Sequence, residues 1–252
     1  MIELKSCREI QIIKESGKIL QEVFKTLRPM IREKVTGIEL DQAAEKVIRE
    51  SGAQPSFKGY RGYPASICVS LNEEVVHGIP GTQPLFNGDI VSIDVGVKWN
   101  GFHTDAARTW AVGAVDDRRK KLIATAKDSF DVALSKIKVG WRIGDLSEAI
   151  QKYVESQGFQ VVRDYAGHGI GRELHEDPQV PNYGKAGRGA KIEPGLVIAI
   201  EPMVTEGSYA VETLSNGWTV VTKDRKCASH YENTVAFTEG GFINITKDEA
   251  TE

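Results

Sequence analysis

Apolar and polar positions recur along this chain with two different periods, and the switches between them outline its elements. Ser6-Cys7-Arg8-Glu9 is a capping-box pattern, after which Ile12, Ile13, Ile19, Leu20, Val23, Phe24 and Leu27 keep helical spacing until Pro29. This predicts a first amphipathic helix. Thr36 and Glu39 repeat the box, and Leu40, Ala43, Ala44, Val47 and Ile48 predict a second helix ending at Gly52. A loop rich in Gly, Tyr and Pro then leads to an apolar run over 66–71, and 72–81 reads as a loop carrying His77. Residues 90–112, IVSIDVGVKWNGFHTDAARTWAV, read as two strands about Asn100-Gly101, the strongest local signal for a two-residue hairpin.

That hairpin carries two acids. If Asn100 and Gly101 form the turn, Trp99 pairs with Phe102 and Asp105 falls opposite Gly96. Asp94 then lies diagonally beside Asp105 on one face, about 7–8 Å away or somewhat less between side chains. Like charges so placed repel, raise each other's pKa or share a cation. Acids at a sheet edge can instead face water, but Ile90, Val91, Ile93, Val95 and Val97 around Asp94 suit a buried strand. A buried charge requires a partner.

After the hairpin the pattern starts again. An offset of 106 residues pairs Phe24 with Phe130, Glu39 with Asp145, Leu40 with Leu146, Ala43 with Ala149, Ile48 with Val154 and Gly52 with Gly158. An offset of 107 pairs Gly88 with Gly195, Val91 with Ile198 and Asp94 with Glu201. The expectation is one domain over 1–252 built from two pseudo-repeats, about 6–112 and 116–237. Such halves would fuse their strands into one curved sheet, antiparallel or mixed, with helices on its outer face and a site at the seam. Beyond the repeat helices come Gly167-His168-Gly169-Ile170-Gly171, then His175, a strand over 196–200 closing at Glu201-Pro202, and strands over 218–221 and 228–237. Only the tail, 246–252, reads as disordered.

Composition narrows the picture modestly. With 252 residues, 40% hydrophobic and 27% charged, the chain can bury a full core, and a net charge of -3 gives no global drive toward nucleic acid or membrane. No long apolar run or signal peptide is legible, so a cytoplasmic location and no membrane contact are expected. Cys7, Cys68 and Cys227 are widely spaced and fit free thiols.

Candidate chemistry changes it far more. Asp94, Glu201 and Glu232 each sit in an apolar strand pattern, and Asp105 makes four. Buried together without cations, each would cost several kcal/mol, whereas two divalent ions neutralise them. His168 is the natural fifth ligand, because flanking glycines let its backbone pack closely. Four carboxylates to one imidazole favour Mn(II), Fe(II) or Co(II) over a purely structural zinc. His103 and His230 read as structural or surface residues.

The segments NEEVVHGIP, GDIVSIDVG, GHGIGRELHEDP and IEPM, with Asp105 and the Glu232 strand, resemble the type I methionine aminopeptidases, peptidases of the M24 family with the pita-bread fold. The likeness runs along essentially the whole chain. It implies an α+β fold and a metalloexopeptidase that removes the initiator methionine from nascent proteins with a small second residue. Two divalent ions per chain are implied, Co(II), Mn(II) or Fe(II) with Zn(II) as an alternative, and a hydroxide held between them as the attacking group. Asp94 would chelate one ion, Asp105 and Glu232 bridge both, and His168 and Glu201 complete the other. Glu201 would also shuttle protons, His77 lie near the scissile amide, and His175 donate to the carbonyl oxygen.

The methionine pocket implied by the same resemblance is Phe57, Tyr60, Tyr63, Cys68, Leu174 and Trp218, an apolar slot suited to a thioether. Many bacterial members carry Cys where Phe57 stands and Phe where Leu174 stands, a swap that roughly conserves bulk. Proline-directed relatives carry a large extra N-terminal domain, and type II enzymes a helical insertion, whereas only 33 residues separate His168 from Glu201 here (201 minus 168). A short bacterial or organellar form, acting as a monomer on peptide and nascent-chain N-termini, is the expectation. The basic run 118–121 suggests a transient ribosome contact.

Overall fold

The computed structural model describes residues 1–247. Four α-helices come in two consecutive pairs, α1 (Cys7–Leu27) with α2 (Gly37–Glu50) and α3 (Asp117–Lys136) with α4 (Ile143–Ser156), each pair followed by strands that pair antiparallel throughout the described residues. Both expected capping boxes form. Ser6 accepts from the Glu9 amide while the Glu9 carboxylate takes the Ser6 amide, and Thr36 and Glu39 do the same for α2. From Gly37 to Ile143 and from Glu50 to Ser156 the offset is 106 residues, so α4 repeats α2 at both ends. None of the described helices is long and apolar enough to cross a membrane.

The hairpin forms in the expected register. Strands Ile90–Trp99 and Phe102–Ala111 pair Trp99 with Phe102 and Gly96 with Asp105, about a turn in which Asn100 (φ 46°) and Gly101 (φ 84°) are both left-handed. That geometry matches the twist of the flanking strands. Strand parity then sorts the faces. Val91, Ile93, Val95 and Val97 pack against Leu20, Leu27, Leu40 and Ile48 of α1 and α2, which leaves Ser92, Asp94 and Gly96 on the opposite face. Helices α3 and α4 cover the second half in the same way, with Phe130, Leu146, Ile150 and Val154 packed on Ile198, Ile200, Val235 and Phe237.

The second half is a five-stranded sheet in the order Gly241–Asn244, Asn233–Thr238, Val197–Ile200, Ala166–Gly169, Glu176–Pro181. Glu232 and Ala107 exchange backbone hydrogen bonds (3.0 and 3.3 Å) and join this sheet to the hairpin. Thr234 Oγ1 extends the seam, accepting from the Asp105 amide at 2.9 Å and donating to its carbonyl at 2.8 Å. Arg108 crosses it from the helix side, donating to the carbonyls of Glu232 (2.6 Å) and Thr246 (2.8 Å) and to Asn233 Oδ1 (2.8 Å) between the rings of Phe24 and Tyr231. A cation there satisfies carbonyls that a change of strand partner would otherwise strand.

Four local expectations need correction. Residues 72–81 are not all loop: the Glu74 carboxylate accepts the Leu71 amide, folds the chain back at Asn72, and lets Glu74–Val76 pair with residues 220–221. The strand expected over 218–221 is Val220–Thr222. The strand expected over 228–237 splits into Ala228–His230, paired with Met203–Thr205, and Asn233–Thr238, paired with Val197–Ile200. Finally, Thr246, expected in a disordered tail, is fully buried and hydrogen-bonded to Asn233 and Thr234; the rest of that tail beyond Lys247 lies outside the described residues. The basic run is tied down locally, with Arg118 on Glu206, Arg119 on the Gly88 carbonyl, Lys120 on Asp117 and Lys121 on the Gln157 carbonyl.

Candidate active site

Two short breaks in the strands build the site. Glu201-Pro202 interrupts the chain between Val197–Ile200 and Met203–Thr205, and Tyr231-Glu232 interrupts it between Ala228–His230 and Asn233–Thr238. Because Met203 pairs with His230 and Ile200 with Asn233, the breaks lie opposite each other, and both glutamates turn toward the hairpin face that bears Asp94 and Asp105. Proline at 202 lacks the amide a continuing ladder would need.

His168 enters from the neighbouring strand, paired with Ala199 and Gln179. Its flanking glycines are required, since a Cβ on Gly167 would meet the Ala199 carbonyl and one on Gly169 the Asp177 carbonyl. The ring Nδ1 lies 2.9 Å from the Gly169 carbonyl, which takes its proton and leaves the Nε2 lone pair facing the acids. Nε2 lies 3.8 Å from Glu201 Oε1 and 4.0 Å from Asp105 Oδ2. Ligand atoms of Asp105, His168 and Glu232 lie within 4.8 Å of one another, and so do those of Asp94, His230 and Glu232. Glu232 belongs to both groups.

The donor set fits divalent ions. Asp94 Oδ1, Asp105 Oδ1, Glu232 Oε1 and His230 Nε2 are all buried without a hydrogen-bond partner, although buried polar atoms are almost always satisfied. Without cations the cluster resists ionisation. Burial is the main cause in every case: it raises Asp94 to about 7 and Glu201 to about 8, and pushes Asp105 and Glu232 well above the usual range, with neighbouring carboxylates adding to the rise at Glu201, Asp105 and Glu232.

These shifts have a thermal consequence. Carboxyls raised above their unfolded values hold protons in the folded state that the unfolded chain has lost, whereas buried histidines lowered to about 3 or 4 refuse protons that the unfolded chain binds below about pH 6.5; the two oppose each other at acid pH, and the chelated protein loses stability as pH rises from about 7 to about 8. Its unfolding midpoint is expected to fall between about pH 7 and about pH 8, where the unfolded histidines are already neutral, and saturating Mn(II) is expected to restore it most at the higher pH, where fewer protons compete. Calorimetry with and without metal measures both. A chelated midpoint that rises over that interval would contradict the raised carboxyls.

An apolar cavity of about 160 Å³ opens beside the acids. Phe57, Tyr60, Tyr63, Cys68, Leu174 and Trp218, the six residues expected to form the pocket, all line it, together with His77 and His175. Tyr63 is fixed by donating to the Ile67 and Gly78 carbonyls and by edge contact with Trp218. Phe57 and Leu174 belong to one apolar cluster and both line the cavity. The Nδ1 of His175 lies 3.0 Å from the Tyr60 hydroxyl, and its ring is 4.2 Å from that of His168. Desolvation, then His168 and Arg61, push the His175 imidazole down to about 3, and desolvation also lowers His77. His77 holds a left-handed backbone (φ 59°) and packs against Tyr165.

The remaining histidines divide. His103 is structural as expected, buried with Nδ1 2.9 Å from Ser56 Oγ. His230 is not at the surface and not remote: it is 1% exposed, lines the cavity, and sets Nε2 3.7 Å from both Glu201 Oε2 and Glu232 Oε2. A signal existed in the sequence, because His230 and Glu232 are two apart and two-residue spacing favours a common face. Arg108 also went unnoticed, although a charge in step with Ala106 on the helix-facing side of an apolar strand asks for a structural role.

Comparison with known proteins agrees with this geometry. Residues 11–239 match the metallopeptidase family M24. The methionine aminopeptidase of Clostridium perfringens is 54% identical over 241 residues, covering 96% of this chain and 97% of the relative. Methionine aminopeptidase 1 of Bacillus subtilis is 50% identical over 247 residues, covering 98% and 100%. The crystal structure of methionine aminopeptidase from Thermotoga maritima superposes with a TM-score of 0.96 at 44% identity, covering 98% of this chain and all of that one, and so shows the pita-bread fold expected from the sequence. Its matched domain, its relatives and its fold agree: this chain belongs to the metallopeptidase family M24 and, within it, to the methionine aminopeptidases.

Proposed function

We propose that this protein removes the N-terminal methionine from peptides and nascent chains whose second residue is small, using two divalent ions held by Asp94, Asp105, His168, Glu201 and Glu232. The observation that carries this reading is the convergence of four carboxylates and unpartnered buried atoms on one wall of an apolar cavity. A metal-free binding protein would have no use for that costly cluster.

Bound ions would supply Lewis acidity toward the scissile carbonyl and an activated water. The chain's own residues do the rest. Phe57, Tyr63, Cys68, Leu174 and Trp218 take the methionine side chain and exclude water from it. Glu201, raised to about 8 in the absence of metal, takes the proton of the attacking water and delivers it to the departing amine. With the Tyr60 hydroxyl donating to Nδ1, His175 keeps its proton on Nε2, from which it donates to the carbonyl oxygen as charge builds there. His77, packed edge-on against Tyr165, lines both the methionine cavity and the neighbouring space, which suits a role beside the scissile amide.

The test is methionine release from Met-Ala-Ser and Met-Leu-Ser by protein chelated and then restored with Mn(II), Co(II) or Fe(II) under anaerobic conditions. Release from the alanyl peptide, far faster than from the leucyl one, is expected. No release with any divalent ion would sink the proposal.

A further inference from the structure

Glu201 is addressed from both sides. His168 Nε2 lies 3.8 Å from its Oε1, and His230 Nε2 lies 3.7 Å from its Oε2. The same His230 atom is 3.7 Å from Glu232 Oε2, so one imidazole nitrogen stands between the glutamates of the two facing strand breaks. It is buried and has no hydrogen-bond partner. His230 also lines a second cavity of about 140 Å³, together with Arg28, Arg108 and Lys127.

We propose that His230 is a positioning residue for the two glutamates: its Nε2–H donates to the Oε2 atoms of Glu201 and Glu232 and fixes which oxygens those carboxylates present to the metals. This rests on the proposed two-metal reading. Ionised carboxylates only accept hydrogen bonds, so a nitrogen between two of them is best matched as a donor. The two separations of 3.7 Å are slightly beyond a hydrogen bond, so each glutamate would have to approach the ring by about half an ångström to accept from it. His168 contrasts with it, since its Nδ1 proton is spent on the Gly169 carbonyl and its Nε2 is left as a lone pair for a metal. Partners that orient ligand carboxylates are typically worth about 10–100-fold in metal affinity. For Glu201 the consequence extends to its proton transfer, because a carboxylate held by Oε2 offers Oε1 to the reacting water.

The two roles open to an imidazole here, donor or metal ligand, differ in what a glutamine can replace. Wild type, His230→Gln and His230→Leu are chelated and titrated anaerobically with Mn(II) by calorimetry, and the Co(II)-loaded proteins are compared by visible absorption and by methionine release. Glutamine keeps a donor, so Mn(II) affinity and kcat near wild type are expected, with the Co(II) spectrum unchanged. Leucine fills the space without a donor, and about 10–100-fold weaker Mn(II) binding is expected, with kcat reduced more than KM is raised. A His230→Gln protein that falls as far as His230→Leu and shifts the Co(II) spectrum would make His230 a ligand and overturn the proposal. A His230→Leu protein that binds Mn(II) as tightly as wild type would overturn it too. Failure of the two-metal reading appears separately, as a wild type that takes up no divalent ion.

Discussion

Replacing Asp105 with asparagine is expected to weaken both metal sites together, not one of them. Asp105 is 4% exposed, stands beside Asp94 in the hairpin register, and shares a ligand-sized cluster with His168 and Glu232. Asparagine keeps the shape but removes the negative charge that two cations would share, and loss of a mere supporting partner already costs about 10–100-fold in affinity. A loss of roughly 100-fold or more at both sites follows. The fold should survive, because the Asp105 backbone is held by Thr234 Oγ1 and the ladder to Gly96, neither of which involves the carboxylate. Anaerobic calorimetric titration reads the outcome, and one tight site left intact would contradict the bridging role.

The second large effect is expected at Glu201. Glu201→Ala should leave the circular-dichroism spectrum unchanged and cut methionine release by about 10²–10⁴-fold, the usual worth of a positioned acid-base group. The residue's backbone is anchored independently of its side chain, with its carbonyl accepting from Asn182 Nδ2 at 2.9 Å. Because Glu201 is also a proposed ligand, titration of the same variant separates the causes. A variant that still binds metal but turns over slowly has lost proton transfer, whereas turnover at the wild-type rate would remove Glu201 from the mechanism.

Much of this arrangement was legible from short-range rules. The Asn100-Gly101 turn set the hairpin register, and that register put Asp94 and Asp105 on one face. Both capping boxes and the 106-residue offset located three of the four helices' shared pattern before any tertiary contact was known. What stayed hidden depends on strands changing partners. The breaks at Glu201-Pro202 and Tyr231-Glu232 exist because neighbouring segments join different sheets, which no periodicity within one strand encodes. His230 reaches the acids across such a break, and Arg108 serves carbonyls exposed by one. The buried Thr246 is the same kind of case, since its hydroxyl closes on Asn233 from outside any regular element.

In the proposed reaction, two ions in one carboxylate cluster drive removal of a terminal methionine. The most direct measurement is anaerobic addition of Mn(II) to the chelated protein while methionine release from Met-Ala-Ser is followed in the same sample. Metal-dependent release that saturates with two ions bound per chain is expected. Saturation of binding with no release of methionine, or release that persists in full after chelation, would contradict it.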